Sequence, residues 1–525
     1  MATVTVTHRA TGSELCCLAE ATAEDLVQGL AENRFSSVDL VHAYVDRIGQ
    51  VNAALRVVME INPDAWLIAA SLDVERARGR LRGPLHGIPV LLKGNIGTRD
   101  RMQTDAGSWA LRDATPSADS TVAAKLRAAG LIILGKTSLT EWSMFRASNS
   151  SHGWNAVSGQ AYGAYCPRQC PGGSSGGSAV AADLGLAWAT LGTETSGSIV
   201  NPCSRNNVVG IKPTVGLTSR RLVVPVSEHQ DTVGPIARSV KDAARLLQTI
   251  VGKDPHDDYT SASPYPGNPP DYVAACKPHG LQGKRIGIPR NVIDQSSDQL
   301  SHVMDAFDKA IAVIQEGGAV VVDRADFTAF SRVMAREYNP VTRADFAVNL
   351  PQYLVQLEHN PQGIHSLEHL RRFTRACPQE EFPIRDTRNW DTALERPISN
   401  SSAEFDAMYA ENLYLGGPGG VEGALQRHQL DALVLPAEVS FNVAALVGTP
   451  IVSVPLGAAP DDVPVKRQPG WDEVELAPGI PFGISFLGSK LSEENLIEIA
   501  YAFEQMTRVR GTLVHHVAPQ TDLRG

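Results

Sequence analysis

CPGGSSGGSAVAADLGLAWATLGTETSGSIVNPCSRNNVVGIKPT, residues Cys170 to Thr214, holds two hydroxyl-bearing turns joined by an apolar, Ala-rich segment in which Asp183 is the only charge before Glu194. The turns are Gly172 to Gly177 and Thr195 to Ser198. Glycine in such numbers costs chain entropy, so it marks backbone that bends tightly or approaches a ligand. Ser and Gly together also make ordinary surface loops. A phosphate-binding P-loop fails because Ser178 stands where that motif needs Lys. A nucleophile elbow is spelled by Gly172-Gly173-Ser174-Ser175-Gly176, but an elbow needs an apolar strand leading in. Here the approach, Tyr165 to Pro171, holds two prolines, and proline is confined to strand edges and ends.

The whole stretch resembles the signature of the amidase signature family: GGSSGGS, an Ala-rich helix, G-T-[DE]-x-x-G-S-[IV], then GVVG-[ILM]-KPT. These stand here as Gly172 to Ser178, Gly192 to Ile199 and Val208 to Thr214. The resemblance implies that Ser198 is the nucleophile and that Ser174, 24 residues earlier, is a bridging serine held by a cis peptide bond. It also implies an α/β fold in which one large mixed, mostly parallel β-sheet is covered by helices on both faces, an α/β/α sandwich. The chain would then be a single domain, 1–525, with N-terminal helices 1–82, a signature core 83–252, a proline-rich connection 253–280 and a C-terminal part 281–525.

Upstream, Ile88 to Leu92 is a continuous apolar run of the kind found in strands buried on both faces, and it ends in Lys93. Taken alone, that lysine is either a strand-end surface residue or a desolvated base. The resemblance selects the base, since the family's catalytic lysine lies in GIPV-x-[LV]-K-D-N, although Gly94 replaces the Asp of that pattern. Lys136, in Gly135 to Trp142, is the rival lysine and is read as structural. Between Trp142 and Cys170 the chain is rich in Ser, Asn, Gly and large rings, among them Trp154, Tyr162 and Tyr165. Such a loop is a candidate wall for a substrate pocket. Its run Gly153 to Gln160 looks most like the peptide-amidase branch, which has Arg where Val157 stands.

The chemistry implied is acyl transfer to Ser198, with its proton passing through Ser174 to a neutral Lys93 and the oxyanion received by backbone N–H groups of Thr195, Ser196, Gly197 and Ser198. Gly173, Ser175, Asn201, Trp142 and Trp154 are the expected substrate contacts. Asn201 stands where carboxylate-specific relatives place Arg, which points to a neutral or polar amide. No cofactor and no metal are expected. The expected activity is hydrolysis of a linear carboxamide. The alternatives are an acyltransferase or amidotransferase subunit using the same site, or an inactive member acting as a binding protein.

Composition narrows the rest. With 43% apolar and 20% charged residues and a net charge of -10, the chain has ample core and nothing resembling a basic stripe, which argues against a nucleic-acid partner. Seven cysteines, an odd number, fit free thiols in a reducing compartment better than a disulfide framework, and Cys166, Cys170 and Cys203 are expected beside the pocket. The first twenty residues lack the layout of a secretion signal. No apolar run reaches the roughly 18 to 20 residues of a membrane span. The expectation is a soluble, cytoplasmic enzyme acting on a small-molecule amide, with a homodimer left open.

Coarser signals place the remaining elements. Thr22 with Asp25 forms a capping-box pattern, and Ser37 opens a second helix. Helices are also expected around Trp66 to Arg80, over Ser120 to Gly130, Ala237 to Val251 and Asp305 to Gln315. Asp254 to Gly280, with six prolines, reads as a long surface connection. Strands are expected at Leu131 to Leu134, Ile286 to Ile288, Val320 to Val322, Ala432 to Leu435, Ile451 to Leu456 and Pro481 to Leu487. The likeness to the family is weakest from Asp323 to Gly420. In that zone His365-Ser366-Leu367-Glu368-His369 matches H-x-x-E-H, an inverted zinc-protease motif with Glu422 in range as a third ligand. Three fixed positions in five residues arise readily by chance, and a helix with a charged face is the simpler reading.

Overall fold

The computed structural model describes residues 17–262, 265, 269–336 and 339–523. The first sixteen residues, on which the reading of the leader mostly rests, lie outside them. Two helices open the chain, α1 (Ala23–Ala31) and α2 (Ser37–Leu55). Each starts with a capping box, Thr22 with Asp25 and Ser36 with Asp39, which satisfies the otherwise orphaned N–H groups of the first turn. A third helix, α3 (Ala65–Ala77), packs on α2.

Eleven strands form the main sheet: β1 (Val58–Ile61), β2 (Pro89–Lys93), β3 (Ile132–Thr137), β4 (Ala189–Glu194), β5 (Val209–Lys212), β6 (Thr232–Ala237), β7 (Arg285–Gly287), β8 (Val320–Val322), β9 (Ala432–Pro436), β10 (Ile451–Ala458) and β11 (Pro481–Leu487). Their spatial order is β1-β3-β2-β4-β6-β5-β10-β11-β9-β7-β8. Pairing is parallel on the two flanks, where β2 lies between β3 and β4 and β7 lies between β8 and β9. Across the centre, and at β1, it is antiparallel. The sheet is therefore mixed, and the expected parallel character belongs to its flanks. Both flanks consist of strand-helix-strand units: α4 (Thr121–Ala128) and α5 (Gly176–Asp183) return the chain between β2, β3 and β4, and the helix Met304–Glu316 joins β7 to β8. A parallel pair requires such a crossover. The edge strands β1 and β8 are short, which limits the exposed ladder.

Helices cover both faces. α5 and α6 (Val200–Arg205) pack together, α5 on β4 and α6 on β5, β10 and β11. α7 (Val240–Ile250) and the helix Glu493–Thr507 pack together over β5, β6 and β10. β2, β4 and β11 are buried along their whole length, as expected of strands covered on both faces. One apolar cluster runs from Leu18 to Leu523 through this sheet. A second gathers Trp142, Phe346, Leu350 and Trp390, with Trp142 set edge-on to both Phe346 and Trp390. It binds the poorly matched segment after Asp323 to the signature half.

The proline-rich connection is less superficial than its composition suggests. Asp254, Asp257 and Thr260 are buried. Asp254 accepts from Ser219 Oγ at 2.6 Å, and Arg220 pairs with Asp257 at 2.7 Å. Buried aspartates need such partners, and these partners pull the segment inward. At the other end of the chain, Arg510 Nη1 and His515 Nε2 meet the two carboxylate oxygens of Asp183 at 2.7 and 2.8 Å. Burial alone would raise the Asp183 pKa; His515 and Arg510 outweigh it and hold the carboxyl below its usual range. No helix among the described residues is long and apolar enough to cross a membrane.

Candidate active site

β2 delivers Lys93 into the interior at its last residue, where the side chain is fully buried. Its Nζ donates to Ser174 Oγ at 2.7 Å, to Thr193 Oγ1 at 2.9 Å and to the Thr193 carbonyl at 3.2 Å. Burial lowers the lysine pKa to about 7, partly opposed by Asp231 and Glu194, because a desolvated ammonium is disfavoured. Ser174 lies on the turn into α5, and the Gly173–Ser174 peptide is cis. Neighbouring backbone fixes that turn: the Thr140 N–H donates to the Ser174 carbonyl at 3.0 Å, and the Ser175 N–H donates to the Ser198 carbonyl at 3.1 Å. The two serine turns thus lie side by side.

Glu194, the last residue of β4, shapes the second turn. Its carboxylate accepts from the N–H groups of Gly197 at 2.8 Å, Ile199 at 2.6 Å and Val200 at 2.9 Å. A carboxylate is favourable at these N–H groups leading into α6. Gly197 has φ 80°, and a β-carbon there would lie 2.7 Å from the Phe441 ring, so the position is confined to glycine. Asp231 braces the same turn, accepting from Thr195 Oγ1 at 2.6 Å and from the N–H groups of Val226 and Ser227 at 2.7 and 3.0 Å. Ser198 is nearly buried, 6% exposed, and opens on a cavity of about 500 Å³ lined by Ser143 to Phe145, Ser196, Val226, Gln230, Arg336, Asn442 and Leu446 among others.

Several expected contacts stand elsewhere. The Gly197 N–H is committed to Glu194, leaving Thr195, Ser196 and Ser198 as candidate oxyanion donors. Trp142 and Trp154 do not line the Ser198 cavity. Trp142 is buried in the second apolar cluster, and Trp154 is stacked under the Arg385 guanidinium, 3.9 Å from the ring centre. The wall comes instead from the residues just after Trp142. Asn201 accepts from the Gly173 N–H at 3.1 Å and lines a cavity other than that of Ser198, with His152, Arg205 and Glu475. Ser175 ties the turn to β4, donating to the Thr193 carbonyl at 3.1 Å, and Gly173 lies against Thr140, His152 and Met144. Tyr165 is turned away, donating to Asp183 at 3.1 Å.

Lys136 is structural. Its Nζ donates to the Ile96 carbonyl at 2.6 Å and to Thr104 Oγ1 at 3.1 Å, with its pKa lowered by burial to about 8. A side chain at position 94 would face Leu139, Met59 and the Thr137 carbonyl and the cavity that Gly94 shares with Glu60, Asp105, Arg112, Lys136 and Val157. The two departures from the family pattern, Gly94 and Val157, therefore meet in one place away from the Lys93 ammonium. Cys166, Cys170 and Cys203 are free thiols, and burial raises the pKa of each. The His365 and His369 rings lie 6.2 Å apart, and Glu422 accepts from the Lys490 N–H at 3.2 Å; these three do not converge as ligands. Among the described residues the convergent His and carboxylate group is Glu228, His229 and Asp345, where His229 Nδ1 meets Asp345 at 2.9 Å and Asn400 bridges both carboxylates.

Sequence reasoning missed Thr193, Glu194 and Asp231. The first two lie inside the quoted Gly-Thr-Glu-Thr turn, where a buried carboxylate ahead of a helix start was the available signal. Asp231 ends the polar run Ser227-Glu228-His229-Gln230-Asp231, which matches no motif.

A family profile described as Amidase matches residues 39–497. The chain is 50% identical to a putative amidase of Arthroderma benhamiae over 97% of this chain and 89% of that protein. It is 31% identical to a glutamyl-tRNA(Gln) amidotransferase subunit of Thermosynechococcus vestitus over 92% of this chain and 97% of that one. The X-ray structure of native peptide amidase from Stenotrophomonas maltophilia superposes with a TM-score of 0.84 at 37% identity, covering 96% of this chain and 99% of that chain. With the paired serine turns, the buried lysine between them and these likenesses in place, the chain belongs to the amidase signature family.

Proposed function

We propose that the protein hydrolyses the C–N bond of a linear carboxamide through an acyl-enzyme on Ser198. The observation that carries this reading is the 2.7 Å contact between Ser174 Oγ and the fully buried Lys93 amine, whose pKa stands at about 7. At that pKa about half the molecules hold a neutral amine at pH 7. A neutral Lys93 draws the Ser174 proton as Ser174 takes that of Ser198, and the Ser198 oxygen bonds to the amide carbon. The N–H groups of Thr195, Ser196 and Ser198 receive the oxyanion, each donor contributing roughly 3 kcal/mol in the transition state. The relay then returns a proton to the departing nitrogen, and water attacks the ester by the same route in reverse.

The acyl group would occupy the cavity of about 500 Å³ at Ser198, with Met144, Phe145, Val226 and Leu446 supplying apolar wall and Arg336 a cation. Fluorophosphonate labelling followed by peptide mapping tests the assignment, together with a screen of primary amides and their carboxylated analogues. Label on Ser198 and release of ammonia from at least one amide are expected. Label elsewhere, or none, removes the reading. Likeness to an amidotransferase favours a second reading, transfer of the nitrogen or acyl group to an acceptor, which product analysis with added amines distinguishes.

A further inference from the structure

A second cavity, of about 170 Å³, is lined at one side by Asn95 and Thr193, the latter a hydrogen-bond partner of the Lys93 amine. It shares Ser143, Thr195 and Val226 with the cavity on which Ser198 opens, so the two adjoin at the nucleophile turn. Its rim is exposed, at His256, Gln352 and Gln356. Its depth is polar and buried, at Asn95 and Thr193, which are 1% and 7% exposed.

Those two residues belong to Lys93. Thr193 Oγ1 accepts from Lys93 Nζ at 2.9 Å and from Asn95 Nδ2 at 3.0 Å, while Asn95 Oδ1 is buried without a partner among the described residues. A buried amide oxygen lining a polar cavity is a group that water satisfies. At about 30 Å³ per molecule a cavity of about 170 Å³ has room for a few waters.

We propose that this cavity is the water supply for deacylation: with the acyl group filling the cavity at Ser198, the hydrolytic water enters past Gln352 and Gln356 and is handed on by Asn95 and Thr193. The step balances within the site. The water oxygen bonds to the acyl carbon, the ester bond to Ser198 Oγ breaks, and one water proton passes through Ser174 and Lys93 back to Ser198 Oγ, leaving the free carboxylic acid. Asn95 and Thr193 are positioning residues in this scheme. The inference rests on the acyl-enzyme reading above.

The rim offers a test that leaves the catalytic groups untouched. p-Nitrophenyl butyrate would be the acyl donor, with rapid mixing to follow nitrophenol release and intact-mass measurement to follow the butyryl adduct on Ser198. Gln352→Trp and the double variant Gln352→Trp with Gln356→Trp should keep the release burst within twofold of the unsubstituted enzyme while the adduct decays at least fivefold more slowly, and Gln352→Ala should decay at the unsubstituted rate. Adduct decay at the unsubstituted rate in both Trp variants overturns the proposal, as does equal slowing of burst and decay. If the unsubstituted enzyme forms no adduct on Ser198, the acyl-enzyme reading itself fails, an outcome distinct from an adduct that forms and ignores the rim.

Discussion

In the proposed relay Lys93 is decisive, because an ordinary lysine near pKa 10.4 would be neutral in only about one molecule in 2,500 at pH 7. Burial brings it to about 7, so kcat/KM should rise with pH as the ammonium loses its proton, with a midpoint near 7 and a plateau above. A flat or falling pH profile would contradict this. Ser198→Ala should abolish labelling by fluorophosphonate, and Lys93→Ala should lower kcat by roughly 10²- to 10⁴-fold, the range for a positioned base, with an unchanged circular dichroism spectrum. Ser174→Ala should be slow rather than inactive, since a water can stand in for one hydroxyl. At this scale the sequence was legible in one contact, Lys93 against Ser174 at 2.7 Å, where both residues sit in rigid patterns. It was misleading for Trp142, Trp154 and Asn201, because side-chain size and position in a motif do not say which way a loop turns. Trp142 to Met144 have consecutive positive φ values of 48°, 53° and 71°, and that left-handed run carries the indole into the core while Ser143 to Phe145 face the cavity.

Among the elements, α7 shows how buried carboxyls can set a pH limit. Its first N–H, at Val240, donates to Glu504 Oε1 at 2.8 Å, from the helix Glu493–Thr507. Burial raises the Glu504 pKa to about 7, and nearby Asp242 is raised to about 6 by the same cause. In the folded state such a group keeps a proton that the unfolded chain has released. Its contribution is fully present below pH about 4.5 and is lost as pH rises through about 7, at up to about 1.4 kcal/mol per pH unit for one group. Glu504→Gln should flatten the fall in unfolding free energy between pH 5 and 8, measured by urea titration; an unchanged slope would assign the proton elsewhere. Elements were the most legible level. The capping boxes, the largely apolar runs of β2, β8 and β11 and the helix Met304–Glu316 follow from local pattern. Strand direction did not, since β9, β10 and β11 look alike in sequence, and antiparallel pairing is decided by connections that run through the whole chain.

For the molecule as a whole, the poorly matched segment after Asp323 proves to be a buttress for the site. Arg146, buried, pairs with Glu141 at 2.5 Å and Glu380 at 3.0 Å and donates to the carbonyls of Glu380 and Arg385. Arg146→Ala would strip the cation from the buried Glu380 and from Glu141, whose pKa burial and Glu380 already push well up, and should cost about 3–5 kcal/mol, seen as a lowered thermal midpoint together with a raised KM as residues 143–145 lose their support. A loss confined to stability, with KM unchanged, would separate that network from the site. None of this could be read from residues more than two hundred positions apart. Asp183 has a similar long reach, at the far end of the helix that begins beside Ser174, clamped by Arg510 and His515. During synthesis, the catalytic turn leaves the ribosome long before the groups that neutralise the carboxylate behind it. A nascent chain halted short of Arg510 would display the whole signature while Asp183 lacked both its cations, so the carboxylate behind that turn is matched only once residues 510–515 have emerged.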